Sequence, residues 1–381
     1  MFPIIKNIND IQDTINTRKE IAYREYPEYG FSSVWYYMAY PGMFTKGNNI
    51  DIFKECRGLV FDLKTGNIIS RKYQKSFNLG EDNQDTNWLD FWWMEKLDGT
   101  MISFIPYENR YIATTKAGRS DVAIKADIWS NIPKYKNLLD ACLKNNWTAI
   151  FEYCGPNNVI IIPYSKEEMI LTAIRHNITG HYVYNPDELM ELGKKYDIPV
   201  VKSLKGNPNT IQDDINKIIN ANGIEGDIVR FLNGNMIKVK AKSYITSHNL
   251  MELFSQEKNI LLYILEEKMD DALPMLPIYF QNKIKTYQIH ISENLLKTTF
   301  HIKNILISLP DDKKEFIFTI NENKDFKEYK NILIALYQFK KDDNIDDIIF
   351  NTITQTIIKN SHSLTKINNI RYLFGNIVFE K

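Results

Sequence analysis

The sequence has few residues of the kind that hold transition metals. It carries three cysteines, Cys56, Cys142 and Cys154, far apart and without a C-x-x-C pair, and only six histidines. Neither a zinc site nor a disulfide framework is supported, which fits a reducing compartment. Net charge is also missing. Lys+Arg and Asp+Glu each total 47, so no global basic field advertises a polyanion, and any such partner must meet a local basic site. Long apolar runs are absent. "NVIIIPY" and "NILLYIL" are too short to span a bilayer. The opening "MFPIIKNINDIQ" lacks the charged head and long apolar core of a secretory signal. A soluble, cytoplasmic protein without a membrane partner is expected. No G-x-x-x-x-G-K-[ST] loop occurs, so a nucleotide would have to be held by side chains rather than by a phosphate loop.

What is present is ordinary globular material. With 381 residues, 44% hydrophobic and 25% charged, the chain is long enough for two domains and a sizeable core. From about 34 to 240 it reads mostly as strands between turn signals. These include "CRGLVFDL", "MISFIPY", "YIATTKAG", "TAIFEYC", "NVIIIPY", "MILTAIRH", "GHYVY", "EGDIVRF" and "NMIKVK". Helices are expected at roughly 121–145, at 186–196 after a Pro-Asp start, and at 210–221 with Thr210 as N-cap. After about 242 the spacing turns helical to the end, broken near Pro274, Pro277 and Pro310. The reading is an α+β, antiparallel-sheet domain over 1–245, followed by a mostly α-helical domain over 246–381.

One stretch raises a chemical question. "FWWMEKLDGTMISF", residues 91–104, sets Lys96 between apolar runs, where burying an ammonium costs several kcal/mol unless compensated. A solvated lysine with pKa near ~10.4 presents a free amine in roughly one molecule in two thousand at pH 7. Desolvation and neighbouring cations lower that value and make a nucleophile. Gly99 lets backbone approach a ligand closely. The plain alternative is a hairpin lysine paired with Glu95 or Asp98.

Further candidates are Arg57 in "ECRG", Lys75 and Phe77 in "YQKSFNLGE", Lys116 in "ATTKAGRS", and Glu152 in "IFEYCGPNN". Arg175 in "AIRHNITG", Glu225 in "GIEGDIV", and Lys238 and Lys240 in "MIKVKAKSY" complete the set. Singly, each has a structural reading: Glu152 as a satisfied core carboxylate, Lys238 and Lys240 as a solvated edge. Together, two strand-borne carboxylates and at least five strand-borne cations make the composition of a nucleoside-triphosphate pocket with a metal.

The order K-x-D-G, F-E-Y near P-x-N, E-G and K-x-K resembles that of the covalent nucleotidyltransferases: RNA ligases, DNA ligases and mRNA-capping enzymes. Within them, "ECRG", "KSFNL", "KLDGTMIS", "FEYCGPNN", "IRHNITG", "IEGDIV" and "KVKAKSYITSH" resemble the RNA ligase 1 family, typified by the tRNA-repair ligase of T-even bacteriophages, from about 34 to 250. The resemblance implies an antiparallel-sheet nucleotidyltransferase (ATP-grasp-like ligase) domain with a helical C-terminal domain, and an ATP-dependent RNA ligase. Lys96 would carry AMP, Arg57, Lys75, Lys238 and Lys240 would contact ATP phosphates, and Lys116 would belong to the pocket. Phe77 and Tyr36 would contact the nucleoside, and Glu152 and Glu225 the ribose and metal environment. Asp270, or Asp271, would correspond to a metal-associated aspartate. The implied cofactors are ATP and Mg²⁺, with Mn²⁺ as an alternative. The implied partner is RNA with 5′-phosphate and 3′-hydroxyl ends, nicked tRNA among the candidates, acted on by a monomer encoded by a phage or virus. A DNA ligase or capping guanylyltransferase would append a small β-barrel after the K-x-K strand, where this chain turns helical. A catalytically inactive RNA-binding relative need not have kept Lys96, both carboxylates and K-x-K.

Overall fold

The computed structural model describes residues 2–40, 42–45, 47–81 and 88–380. The chain divides into two compact units, Met1–Ile245 and Thr246–Lys381.

The first unit is built on three sheets. β1 (Ile21–Tyr26), β2 (Phe31–Tyr36), β3 (Arg57–Asp62) and β4 (Ile68–Ser70) form an antiparallel meander in that order. Its inner face carries Val34, Leu59, Phe61 and Ile68, packed with Ile5 and Ile11. After them come β5 (Phe77–Asn78), β6 (Phe91–Glu95), β7 (Thr100–Tyr107), β8 (Arg110–Thr114), β9 (Trp147–Cys154) and β10 (Glu168–His176), then β11 (Ser203–Lys205), β12 (Gly226–Phe231) and β13 (Met236–Lys240). The second sheet runs β10-β9-β7-β8 and the third β11-β6-β12-β13-β5. Every pairing among these sheets is antiparallel except β13 with β5, so the antiparallel α+β expectation is borne out.

The run that opens "FWWMEKLDG" explains its own position. Phe91 and Trp93 pack toward the helix Ile211–Ile219 with Ile215, Ile218 and Val229. Met94 packs on the other face with Leu97, Cys154 and Ile170. A strand buried on both faces needs a continuous apolar run rather than alternation. Tyr135, Leu138 and Leu139 of the helix Pro133–Lys144 cover the second sheet through Phe104, Phe151 and Met169.

Several local expectations are corrected. The segment 121–145 is not one helix but Asp121–Ala126, a 3₁₀ turn Asp127–Asn131 and Pro133–Lys144, because a residue before proline avoids the helical region and Ile132 is extended at ψ 124. Thr210 makes no capping bond; its hydroxyl donates instead to Asp214 Oδ2 at 2.7 Å. "NVIIIPY" and "GHYVY" form no strands, and "GHYVY" contributes only an isolated bridge, Tyr182 to Arg175.

The second unit is helical, with a core that includes Phe254, Leu261, Ile284, Ile291, Ile302, Leu333, Ile349, Ile353 and Phe374. Within it Arg371 pairs with Glu257 at 2.6 Å, and Glu257 also accepts from the Tyr287 hydroxyl at 2.9 Å. Among the described residues no helix is long and apolar enough to cross a membrane.

Candidate active site

β6, β12 and β13 place three charged side chains together. Lys96 follows the last residue of β6, and its N–H donates to the Gly226 carbonyl at 2.9 Å. Its Nζ lies 2.7 Å from Glu225 Oε2, while Lys240 Nζ lies 3.1 Å from Oε1. Glu225 is only 4% exposed, so a buried carboxylate is bracketed by two ammoniums, the arrangement that burial of a charge requires. Gly226, at φ 137, faces Lys240 across the β12–β13 ladder. A Cβ there would collide with the Val239 carbonyl, so glycine is what lets Glu225 enter the strand beside Lys240.

The pairing expected on the plain reading does not form. Glu95 approaches Lys202 instead, and Asp98 is occupied elsewhere. Asp98, 2% exposed, accepts the N–H groups of Ile161 and Ile162 on Oδ2, both at 2.7 Å, and the Tyr244 hydroxyl on Oδ1 at 2.6 Å. Its own N–H donates to the Tyr164 hydroxyl at 3.0 Å. This is why "NVIIIPY" is a loop: its amides serve a carboxylate rather than a ladder. Gly99 packs so closely on the Tyr153 carbonyl that a Cβ would overlap it. Thr100 and Asn158 exchange hydrogen bonds at 3.1–3.2 Å, and Asn158 Nδ2 donates to the Tyr153 carbonyl at 2.7 Å. The turn after Lys96 is therefore fixed from three sides.

Beside it lies a cavity of about 500 Å³ lined by Arg57, Lys96, Lys116, Glu152, Lys238 and Lys240 among others. Among the described residues no carboxylate comes within ion-pair distance of Arg57, Lys116 or Lys238. Burial, reinforced by Lys75 and Arg57, pushes the Lys238 amine down to about 7. Burial, with Arg57 and Lys75, brings Lys116 down to about 8. Lys116 Nζ sits 4.0 Å from the centre of the Tyr36 ring, which packs edge-on against Phe44. Phe44 meets Phe77 edge-on, with Lys75 Nζ 4.8 Å from the Phe77 ring centre. Arg57 donates to the Gln74 carbonyl at 3.1 Å, while its buried Nε–H has no partner among the described residues.

Glu152 faces this cavity without a hydrogen bond or ion pair among the described residues. Burial pushes its carboxyl up to about 7, against the pull of Lys96. A hard oxygen donor of this kind suits a divalent cation completed by a ligand's own oxygens and water. Among the described residues no three His, Cys, Asp or Glu side chains form a ready-made metal cluster.

The structure thus gathers Lys96, Glu225, Lys240, Lys238, Arg57, Lys116 and Glu152, with Tyr36, Phe77 and Lys75 tied to Lys116 and Phe44. Asp270 and Asp271 sit in the short helix Met269–Ala272 of the second unit, both exposed, whereas every cavity-lining residue belongs to the first. Arg175 is corrected to a structural role. It is fully buried and forked on Glu55 at 2.9 and 3.0 Å, and Glu55 also pairs with Arg71 at 3.0 Å. Asp98 and Tyr244 were missed as positioning residues. The aspartate of K-x-D-G was a signal for the first; nothing short of the fold pointed to the second.

The model of a family described as RNA ligase matches residues 55–245, half of the chain. A protein named "Putative RNA ligase" from Thermovibrio ammonificans is 35% identical over 150 residues, covering 37% of this chain and 40% of its own. A "Putative bifunctional polynucleotide kinase/RNA ligase" of Autographa californica nuclear polyhedrosis virus is 22% identical over 272 residues, covering 64% and 38%. The chain thus spans less than half the length of these curated relatives. Among solved structures, an archaeal ATP-dependent RNA ligase aligns over 95% of this chain and 78% of its own, at 12% identity and TM-score 0.43.

Proposed function

The chain belongs to the RNA ligase family, and we propose that it is an ATP-dependent RNA ligase that seals a 5′-phosphate to a 3′-hydroxyl through a lysyl-AMP and an RNA-adenylate. The observation that carries this reading is Lys96 held against Glu225 at the edge of a cavity whose Arg57, Lys116 and Lys238 have no carboxylate partner among the described residues. Cations left in that state fit a polyphosphate.

In the first step Lys96 Nζ forms a bond to the α-phosphorus of ATP, and pyrophosphate leaves with the electron pair of the broken P–O bond. The amine must shed a proton, and Glu225 Oε2, at 2.7 Å, is within reach to receive it. Arg57, Lys238 and Lys240 offset the charge spreading onto the departing oxygens. Tyr36 and Phe77 would pack on the nucleoside. Glu152, with the nucleotide's own phosphate oxygens, would hold Mg²⁺ or Mn²⁺, which supplies Lewis-acid neutralisation of the phosphates when bound. AMP then passes to the 5′-phosphate of RNA, and the 3′-hydroxyl displaces it. Nicked tRNA is the substrate class we assign to this reaction.

Incubation with labelled ATP or GTP, followed by denaturation, tests the reading. Acid-labile label from ATP alone is expected. Label from GTP would make the chain a capping-type enzyme, and no label would make it an inert RNA-binding relative.

A further inference from the structure

The helix Ile278–Ser308, the longest in the second unit, buries Phe280, Ile284, Tyr287, Ile291, Leu295, Ile302 and Ile305 in the core. Its opposite face should be polar, yet Ile278 is 75% exposed, Ile289 57%, Leu296 62%, Phe300 65% and Ile307 58%. Their spacings are 11, 7, 4 and 7 residues. At about 100° per residue these bring all five within about 40° of one line down the helix. Scattered exposed apolar residues are ordinary; five on one line of a helix form an apolar stripe that is not.

The positions are also arranged symmetrically. Ile278 and Ile307 are equally far from the midpoint between Ser292 and Glu293, and so are Ile289 and Leu296. If a second identical helix lies antiparallel across that midpoint, Ile278 meets the other copy's Ile307 at both ends and Ile289 meets Leu296 twice. Phe300 then meets Lys285, whose stem packs on the ring while its ammonium reaches the ring edge or solvent. A two-fold contact must be self-complementary in this way.

Charge does not favour nucleic acid as the occupant. The residues interleaved in the stripe include Lys285, Glu293 and Lys303, mixed in sign, and Lys303 is already paired with Asp346 at 2.7 Å. A polyanion surface needs a concentration of unpaired cations.

We infer that this face is a homodimer interface, with the Ile278–Ser308 helices of two copies packed antiparallel about Ser292 and Glu293, in place of the monomer expected from the sequence. Sedimentation equilibrium of the full chain over a wide concentration range should give a reversible dimer. Leu296→Glu and Ile289→Glu, both at exposed positions, should each weaken self-association roughly tenfold or more while leaving helix content by circular dichroism unchanged. Leu296→Gln provides the same test should a glutamate disturb the helix. Under oxidation Glu293→Cys should cross-link to itself, and Ile278→Cys should cross-link to an Ile307→Cys copy but not to itself. A chain that stays monomeric at every concentration would overturn the proposal, as would a dimer indifferent to all three substitutions. Ile278→Cys self-cross-linking would indicate parallel packing and overturn it too. Loss of RNA binding in the glutamate variants of a monomeric protein would reassign the face to RNA.

Discussion

Asp98 should be worth more to this protein than its place in a turn suggests. Its carboxylate receives three donors within 2.7 Å, the N–H groups of Ile161 and Ile162 and the Tyr244 hydroxyl, two of these bonds buried and the Ile162 one partly so. Asp98→Ala would leave the Ile161 and Ile162 N–H groups without this acceptor and would take one partner from the Tyr244 hydroxyl, which also hydrogen-bonds Glu225. At about 1–3 kcal/mol for each buried donor, discounted because the three share one acceptor, the loss comes to about 4 kcal/mol. Asp98→Asn keeps the shape. Its amide oxygen can accept from the Ile161 and Ile162 N–H groups while its NH₂ donates to the Tyr244 hydroxyl oxygen. Only the charge assistance is lost, about 1–2 kcal/mol. Urea denaturation of both variants measures these costs. Combining Asp98→Asn with Tyr244→Phe in a double-mutant cycle isolates the 2.6 Å bond, expected to show a coupling of about 1 kcal/mol. Because the same carboxylate fixes the turn that carries Lys96, adenylylation should fall further than stability does in Asp98→Asn. An Asp98→Ala variant within about 0.5 kcal/mol of the parent would refute the reasoning, since the three bonds would then contribute nothing net.

Gly226→Ala places a Cβ against the Val239 carbonyl at a left-handed φ. It should move Glu225 off Lys96 and Lys240 and slow adenylylation by about a hundredfold, read by single-turnover kinetics with a fold control. Nucleotide binding should take up protons. The Lys238 and Lys116 amines, pushed down to about 7 and 8, regain their protons beside a polyphosphate. Affinity for a non-transferable ATP analogue without metal should therefore fall from about pH 6 to about pH 9, and calorimetry in buffers of different ionisation heat would report the sign; net proton release would contradict it. Lys72, 1% exposed and donating to the Gly58 carbonyl at 2.8 Å, is pushed down to about 7 by burial. The unfolded chain then binds more protons above that pH, so this residue makes stability rise with pH by roughly 1 kcal/mol per unit from about 7 to about 9. Denaturation of Lys72→Met should show that slope reduced.

Much of the site was legible because its chemistry needs unusual residues in strands. Lys96 between apolar runs, Glu152 in an apolar strand and the Lys238/Lys240 alternation each break the pattern expected of a packed sheet, and the structure gathers all of them. Arg175 broke the pattern as well but serves Glu55 and Arg71, since sequence cannot say which buried cation has a buried carboxylate waiting. "NVIIIPY" has the composition of a buried strand. Its backbone amides are drawn to Asp98, a tertiary demand invisible to local propensity. Tyr244 is a single aromatic in a helical stretch, and only the folded chain brings its hydroxyl to Asp98.

The central claim is that Lys96 is the nucleophile. Intact-mass measurement after incubation with ATP and Mg²⁺, followed by peptide mapping, addresses it most directly. The account predicts one AMP adduct, located on the peptide bearing Lys96. It should be absent from Lys96→Arg, whose guanidinium stays protonated and cannot attack, and that variant should still join some pre-adenylylated RNA. An adduct of equal yield in Lys96→Arg, or one mapping to Lys116, Lys238 or Lys240, would contradict it.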